Sequence, residues 1–165
     1  MEYVKLGKTG IEVSRLCFGG LIIGPLQSNL TVEEGSEVIA KALEMGVNFI
    51  DTAELYGTYA HIREGIKKSG KDAVIATKSY AYSAKGAEES LEKARKELDR
   101  DVIDLFLLHE QESRLTLRGH RDAFEYYISQ KEKGRIRAVG VSTHNVEVVE
   151  ACATMPGIDV VHPLV

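Results

Sequence analysis

The sequence predicts an α/β fold built on a parallel β-sheet. Short apolar runs recur along the chain without the clean alternation of a strand that has one solvated face, so both faces of each strand should be buried. Segments with apolar residues at helical spacing separate these runs, which is the order of elements in an α/β protein. The predicted strands are the runs at 15–20, 47–53, 73–79, 102–109, 136–142 and 159–165.

A β-hairpin is predicted before the first of these strands. Residues 3–6 alternate in the pattern of a strand, and GKTG at 7–10 is typical of a turn. Residues 11–13 would form the second strand of the hairpin. A phosphate-binding loop is excluded, because that motif needs a glycine five residues before Gly7 and the position holds Glu2.

Five helices are predicted between the buried strands. The first has the capping-box pattern of Thr31 and Glu34, and Gly46 ends it. The other four are recognised by apolar residues at helical spacing or by a residue typical of a helix end. These residues are Ile62 and Ile66 before Gly70, Ala87 to Leu98, Phe124 to Ile128 before Gly134, and Val149 with Cys152 after Asn145.

Two architectures fit five βα units followed by a sixth strand. A doubly wound sheet can be complete at 165 residues, whereas a (β/α)8 barrel typically needs about 250 residues, so length alone favours the doubly wound sheet. The run 159–165 is unexpected in both, because neither a helix nor a polar segment follows it. In either case we expect residues 1–165 to form a single domain.

Composition and charge argue against several classes of function. A net charge of −4 without a basic block argues against binding to nucleic acid or to a membrane surface. No apolar run approaches the roughly 20 residues that cross a bilayer, and the N-terminus lacks the pattern of a signal peptide. Cys17 and Cys152 lie in apolar sequence, which predicts buried thiols in a reducing cytoplasm. His109-Glu110 lacks the second histidine of a zinc protease, so no metal site is predicted.

Four reactive side chains fall at or just after the carboxyl ends of three consecutive predicted strands. Asp51 ends the second strand and Tyr56 follows it, while Lys78 and His109 end the third and fourth. Ligands bind at this end of the strands in both architectures. Each residue alone has a structural explanation, as a turn former, a loop aromatic, a solvated strand end or a core histidine. Their joint placement favours a reacting centre, whereas Asp104, inside the fourth strand, is predicted to be structural at the opposite rim.

Such a centre could donate a proton to a carbonyl oxygen. A free tyrosine has a pKa near 10, and an ammonium beside it would stabilise the phenolate and lower that pKa. Lys78 would have this effect, and Asp51 would hold Lys78 in place and keep it charged. His109 would hydrogen-bond the substrate oxygen or relay a proton to Tyr56. None of these groups supplies a hydride, so a reductase would need a nicotinamide cofactor.

Five segments of the sequence resemble the aldo-keto reductase family. LGKTGIEVSRLCFGG is similar to its hairpin and first barrel strand, and GVNFIDTAELYG to its signature around the catalytic aspartate and tyrosine. IATKS, IDLFLLH and KGRIRAVGVSTHN resemble the next three strand motifs in order, so the resemblance covers the chain from Val4 onwards. It implies a (β/α)8 barrel, present here as an incomplete barrel of hairpin, five βα units and a sixth strand.

The resemblance also implies roles for individual residues. The four residues at the strand ends stand at the family's catalytic positions, with Tyr56 as the acid, and the implied reaction is the reduction of a small aldehyde or ketone by NADPH. Thr143 stands where many relatives have asparagine, and His162 where they have glutamine. The positions that contact the cofactor in the family are occupied by Gly19, Gly20, Asp51, Ser142, Thr143 and His162.

The family binds the phosphates and adenine of NADPH with its seventh and eighth strands, to which nothing in this sequence corresponds. We therefore expect residues 1–165 alone to bind NADPH poorly, to be inactive, and to self-associate through open barrel edges. The alternative function is that of a non-enzymatic, nicotinamide-binding regulatory module. Such a module would resemble the potassium-channel β-subunits of the family, which keep the same four residues.

Overall fold

The computed structural model describes residues 1–164, which form a small hairpin and a curled sheet of six parallel strands with helices on its outer face. The strands are β1 Tyr3–Lys5, β2 Glu12–Ser14, β3 Phe18–Gly19, β4 Phe49–Asp51, β5 Val74–Ser79, β6 Ile103–Leu108, β7 Ile136–Thr143 and β8 Val160–Pro163. The α-helices are α1 Val32–Glu44, α2 Tyr59–Ser69, α3 Ala84–Leu98, α4 Arg114–Gly119, α5 Arg121–Glu132 and α6 Val146–Thr154.

The order of the strands decides between the two predicted architectures. The sheet runs β3-β4-β5-β6-β7-β8, and every neighbouring pair is parallel. A doubly wound sheet reverses its strand order at a switch point, and this sheet has no reversal. The prediction of an incomplete (β/α)8 barrel is therefore confirmed, and the doubly wound sheet favoured by length is wrong.

Both faces of the sheet are buried, as the apolar runs predicted. On the outer face, Ile75 and Phe106 belong to a large core that includes Leu91 of α3 and Tyr127 of α5. On the inner face, a second cluster joins the hairpin to the strands, and its buried members are Ile11, Val13, Ala76, Leu105 and Ala138. Because neighbouring residues of a strand point to opposite faces, the five strands from β4 to β8 each contribute to both clusters.

The predicted helix ends are largely confirmed. The Glu34 backbone N–H donates to the Thr31 hydroxyl at 3.2 Å, and the Thr31 N–H donates back to the Glu34 carboxylate at 2.9 Å. Asn145 caps α6 by accepting from the Glu147 N–H at 2.8 Å. Helix α4 and two 3-10 helices, Gly20–Ile23 and Glu54–Tyr56, were not predicted, because each is too short to show a helical period.

Asp104 has the structural role that its position predicted. Its carboxylate accepts the backbone N–H of Ile75 at 3.0 Å and the guanidinium of Arg137 at 2.5 Å, so it ties β5, β6 and β7 together near their amino ends. Cys17 and Cys152 are both free thiols, Cys152 being buried and Cys17 only partly so. Among residues 1–164, no helix is long and apolar enough to span a membrane.

Gly140 in β7 provides a test of the packing on the inner face. A Cβ at this position would lie 2.0 Å from the Val160 carbonyl oxygen and 2.9 Å from the Leu107 side chain. We expect Gly140→Ala to lower the free energy of unfolding by about 3 kcal/mol, because backbone must move to admit the methyl group. Chemical denaturation measures this loss.

Gly119 is the matched control, since a Cβ there would meet no heavy atom within 4 Å. Gly119→Ala should leave stability unchanged or raise it by less than about 1 kcal/mol. Equal unfolding midpoints for the two variants would contradict the proposed close contact between β7 and β8.

Candidate active site

The structure gathers the four predicted reactive side chains at the carboxyl rim of the sheet. Asp51 is the last residue of β4, and Lys78 lies on the inner face near the end of β5. His109 directly follows β6, and its backbone N–H donates a hydrogen bond to the Ser79 carbonyl at 2.9 Å. Tyr56 ends the short 3-10 helix that follows β4. Parallel strands in sequential order thus bring together residues at or just after the ends of three separate strands.

Asp51 and Lys78 form a buried ion pair. The Lys78 ammonium lies 2.7 Å from Oδ1 and 2.8 Å from Oδ2 of Asp51, and it donates hydrogen bonds to Oδ2 and to the Thr52 carbonyl. The Lys78 side chain is 3% exposed, so an unpaired ammonium here would carry a large desolvation cost. Asp51 therefore holds Lys78 in place, as the sequence predicted.

Tyr56 lies beside this pair, and its hydroxyl pairs with His109 rather than with the ammonium. Lys78 Nζ is 5.1 Å from the centre of the Tyr56 ring, while the Tyr56 hydroxyl oxygen is 3.4 Å from His109 Nε2. Burial raises the pKa of Tyr56 to about 12, and the negative charges of Asp51 and Glu110 add to this effect. The prediction of a lowered pKa for Tyr56 is therefore wrong in this structure, and burial is the largest cause of the rise.

His109 is held as a neutral imidazole. Burial lowers its pKa to about 4, and the positive charge of Lys78 acts in the same direction. Within residues 1–164, Nδ1 is buried without a hydrogen-bond partner, while Nε2 faces the Tyr56 hydroxyl. A buried N–H without an acceptor is rarer than a buried acceptor without a donor, so we assign the proton to Nε2. His109 can then donate a hydrogen bond into the site.

A cavity of about 380 Å³ opens on the inner face of the sheet beside these residues. Its volume lies within the usual range for a small-molecule site. Gly19, Asp51 and His162 lie at its polar side, and most of the remaining wall is apolar: Leu6, Cys17, Phe49, Ala76, Leu105, Leu107, Val160, Val161 and Pro163. Burial raises the pKa of the Cys17 thiol to about 12, so that cysteine is not a nucleophile at neutral pH.

The residues of this cavity suit a flat, partly polar ring such as nicotinamide. A Cβ on Gly19 would meet no atom within 4 Å, so the glycine leaves open space beside the cavity. Within the described residues 1–164, Asp51 Oδ1 is buried and accepts no hydrogen bond of good geometry, and the His162 imidazole lies 3.5 Å from it. Ser142 Oγ accepts the Glu110 N–H at 2.8 Å, which leaves its own hydroxyl proton free to donate.

Two of the predicted cofactor residues have structural explanations. A Cβ on Gly20 would lie 3.0 Å from the Asp51 carbonyl oxygen, so close packing against β4 accounts for that glycine. The Thr143 hydroxyl donates to the Gln111 carbonyl at 2.5 Å and accepts the Asn145 N–H at 3.0 Å. Both hydrogen-bonding directions of this hydroxyl are therefore used within the protein. A cofactor contact for either residue stays a prediction.

Two rim residues were missed in the sequence, Tyr80 and Glu110. Tyr80 stacks on the His109 ring, with 4.4 Å between ring centres and 25° between planes, and its hydroxyl donates to the Glu110 carboxylate. The only available signal was position, since each follows a predicted strand end by one or two residues. Within residues 1–164, no group of three or more histidine, cysteine or acidic residues could hold a metal ion.

The curled parallel sheet with this rim defines a protein of the (β/α)8 class with a candidate centre for proton transfer. The chain belongs to the aldo/keto reductase family, whose model matches residues 15–163, as the sequence resemblance had indicated. This is a family of oxidoreductases.

Individual relatives agree with this assignment. The chain is similar to the aldo-keto reductase YhdN of Bacillus subtilis, with 31% identity over 99% of this chain and 53% of the relative. It is 29% identical to a probable voltage-gated potassium channel subunit beta of Arabidopsis thaliana, over 100% of this chain and 54% of the relative. The thermostable aldo-keto reductase Tm1743, solved with the inhibitor epalrestat, superposes with a TM-score of 0.82 at 30% identity, covering 100% of this chain and 63% of that structure. The chain thus spans about half the length of these curated relatives.

The buried ion pair predicts an asymmetry between single and double substitutions. Asp51→Asn should lower the free energy of unfolding by about 3–5 kcal/mol, because it leaves the Lys78 ammonium buried without a counter-charge. Adding Lys78→Met should recover part of that loss. Glu44→Gln breaks the exposed pair of Glu44 with Lys41 and should cost less than about 1 kcal/mol. A double variant no more stable than Asp51→Asn, measured by chemical denaturation, would contradict this account.

The environment of His109 predicts an unusual titration. The imidazole resonance that disappears in His109→Gln should titrate at a pKa of about 4 in the folded protein, measured by NMR. The unfolded imidazole takes up its proton near pH 6.5, so this group makes folding stability decrease as pH falls from about 6.5 to about 4. Titration of the His109 resonance near its ordinary value would show that the ring is solvated.

Proposed function

We propose that this protein reduces a small aldehyde or ketone to an alcohol with NADPH, and that Tyr56 donates the proton. One observation carries the proposal: the Tyr56 hydroxyl lies 3.4 Å from His109 Nε2, beside the buried Asp51–Lys78 pair, whose aspartate lines the cavity. A carbonyl oxygen within hydrogen-bonding distance of both the hydroxyl and the imidazole could accept a hydrogen bond from each.

Each residue has a defined part in this reaction. NADPH, when bound, supplies the hydride that adds to the carbonyl carbon. The Tyr56 proton passes to the carbonyl oxygen as negative charge develops there, and the resulting phenolate recovers a proton from solvent. With a pKa of about 12, Tyr56 is protonated at neutral pH, as an ordinary tyrosine also is, and its proton leaves only as negative charge develops on the substrate oxygen. His109 hydrogen-bonds the substrate oxygen through Nε2, and Asp51 holds the Lys78 ammonium 5.1 Å from the centre of the Tyr56 ring.

The reacting end of the cofactor would be held by groups around the cavity. Gly19 leaves room beside the ring, the Ser142 hydroxyl can donate to a carboxamide oxygen, and His162 lies near Asp51 at the cavity edge. Gly20 and Thr143 would contribute through backbone position rather than through a side chain. We keep the expectation that residues 1–165 alone bind NADPH poorly and self-associate through the unpaired sheet edges. Titration with NADPH and light scattering test these two points.

A second candidate function is that of a regulatory, nicotinamide-binding subunit. The similarity to a probable voltage-gated potassium channel subunit beta of Arabidopsis thaliana favours it. The two functions differ in what accompanies cofactor binding. Negligible turnover across a panel of aldehydes, together with a stoichiometric protein partner, would favour the subunit.

The assignment of the proton donor can be tested by removing one oxygen atom. In the protein that contains this chain, Tyr56→Phe should lower kcat for NADPH-dependent aldehyde reduction by roughly 10²–10⁴-fold, because the general acid is lost. The change is followed by NADPH absorbance. Tyr82→Phe removes the same atom from an exposed tyrosine in the loop after β5 and should retain wild-type kcat. Unchanged kcat in Tyr56→Phe would refute the catalytic role.

A further inference from the structure

Two rim residues, Tyr80 and Glu110, have no part in the proposed chemistry, yet both lie beside His109, which does. The Tyr80 ring covers one face of the His109 imidazole, with 4.4 Å between ring centres. The Tyr80 hydroxyl donates a hydrogen bond to Glu110 Oε2. The other carboxylate oxygen, Oε1, lies 4.0 Å from His109 Nε2. A carboxylate thus stands next to the nitrogen that would bind the substrate oxygen.

Hydrogen bonds hold Glu110 both at its backbone and at its carboxylate. The Glu110 backbone has a φ of 44°, in the left-handed region that non-glycine residues rarely adopt. Its N–H donates to the Ser142 hydroxyl at 2.8 Å, which holds the backbone in that conformation. The hydrogen bond from Tyr80 holds the other end of the side chain. Glu110 is therefore less free to swing into solvent than a loop glutamate usually is.

We propose that Glu110, positioned by Tyr80, excludes carbonyl substrates that carry a carboxylate next to the carbonyl group and so selects neutral ones. This inference rests on the proposed carbonyl reduction at Tyr56 and His109. A carbonyl oxygen bound at His109 Nε2 lies within a few ångströms of Glu110, and an adjacent substrate carboxylate would share that space. Two carboxylates at such a separation repel each other.

The surrounding charges do not cancel this repulsion. The Lys78 ammonium is buried and already neutralised by Asp51. His144 and Glu112 line a small depression that also includes Glu110, and Glu112 adds further negative charge to the rim. Burial lowers the pKa of His162, so that imidazole is not a strong counter-charge at neutral pH.

The size of the effect is limited by solvent. The Glu110 side chain is 43% exposed, so water and salt screen its charge. At such a site, charges separated by several ångströms change rates or affinities by roughly three- to tenfold. Glu110 is thus a specificity determinant, and Tyr80 is a positioning residue that acts through it.

The test compares two forms of one ketone in the protein that contains this chain. Phenylglyoxylate has a carboxylate beside its keto group, and its methyl ester is neutral at the same place. We expect Glu110→Gln to lower the ester-to-acid ratio of kcat/KM roughly three- to tenfold. The intrinsic reactivities of the two ketones and any general loss of activity cancel when the ratio is compared with that of the wild type. Tyr80→Phe should lower the ratio by a smaller factor, because it keeps the stacked ring and removes only the hydrogen bond to Glu110.

Glu132→Gln is the control for net charge. It removes the same charge from an exposed residue at the end of α5, near the amino ends of the strands, and should leave the ratio unchanged. Raising the salt concentration should lower the ester-to-acid ratio of the wild type but not that of Glu110→Gln. A purely structural role of Glu110 would not produce this difference. An unchanged ratio in Glu110→Gln, or an equal change in Glu132→Gln, would overturn the inference.

Binding measurements separate this inference from the proposed function. If the wild-type protein reduces neither ketone, the proposed function fails, and the affinities of the two compounds are then measured by NMR titration of the Tyr80 and His109 resonances. The inference holds if the acid binds more weakly than the ester and Glu110→Gln narrows the difference. Equal affinities in the wild type, or binding of neither compound, would reject it. Thermal unfolding shows whether the variants fold like the wild type.

Discussion

The burial of the Lys78 ammonium is the constraint on which the rest of the site depends. A lysine on the inner face of a curled sheet needs a counter-charge on the neighbouring strand, because neither solvent nor its own strand can provide one. Asp51 can reach it because β4 and β5 are adjacent, parallel and in a register that pairs Asp51 with Ala76, two residues before Lys78. The sequential strand order therefore serves the chemistry of the rim as well as the packing of the core.

Mutual neutralisation within this pair sets the electrostatic character of the site. Since Asp51 offsets the ammonium, burial dominates the pKa of Tyr56 and raises it, and burial also lowers that of His109. Both groups facing a substrate oxygen are then neutral hydrogen-bond donors at physiological pH. In such a site the partly exposed Glu110 carboxylate, 4.0 Å from His109 Nε2, can influence which substrates enter.

Patterns of local origin in the sequence predicted most of the fold. The capping box at Thr31 and Glu34, the cap at Asn145 and the buried strand runs depend on neighbouring residues, and all are present in the structure. The strand order depends on long-range pairing, which is why length pointed to the wrong architecture and the family resemblance to the right one. The rise in the pKa of Tyr56 could not be predicted either. Whether Lys78 faces the hydroxyl or the ring of Tyr56 is a matter of ångströms, and residue spacing does not resolve it.

Glycines on the inner face show how one residue type can serve opposite requirements. Gly140 has no side chain because the Val160 carbonyl and the Leu107 side chain already occupy that space. Gly19 has none beside an open cavity, where the space remains free for a ligand. The inner face is thus tightly packed where Gly140 of β7 meets β8 and the Leu107 side chain, and it is open at the cavity that Gly19 and Asp51 line. A ring that entered this cavity would lie against Asp51, one member of the buried ion pair, so the distribution of packing on the inner face decides where a ligand can reach that pair.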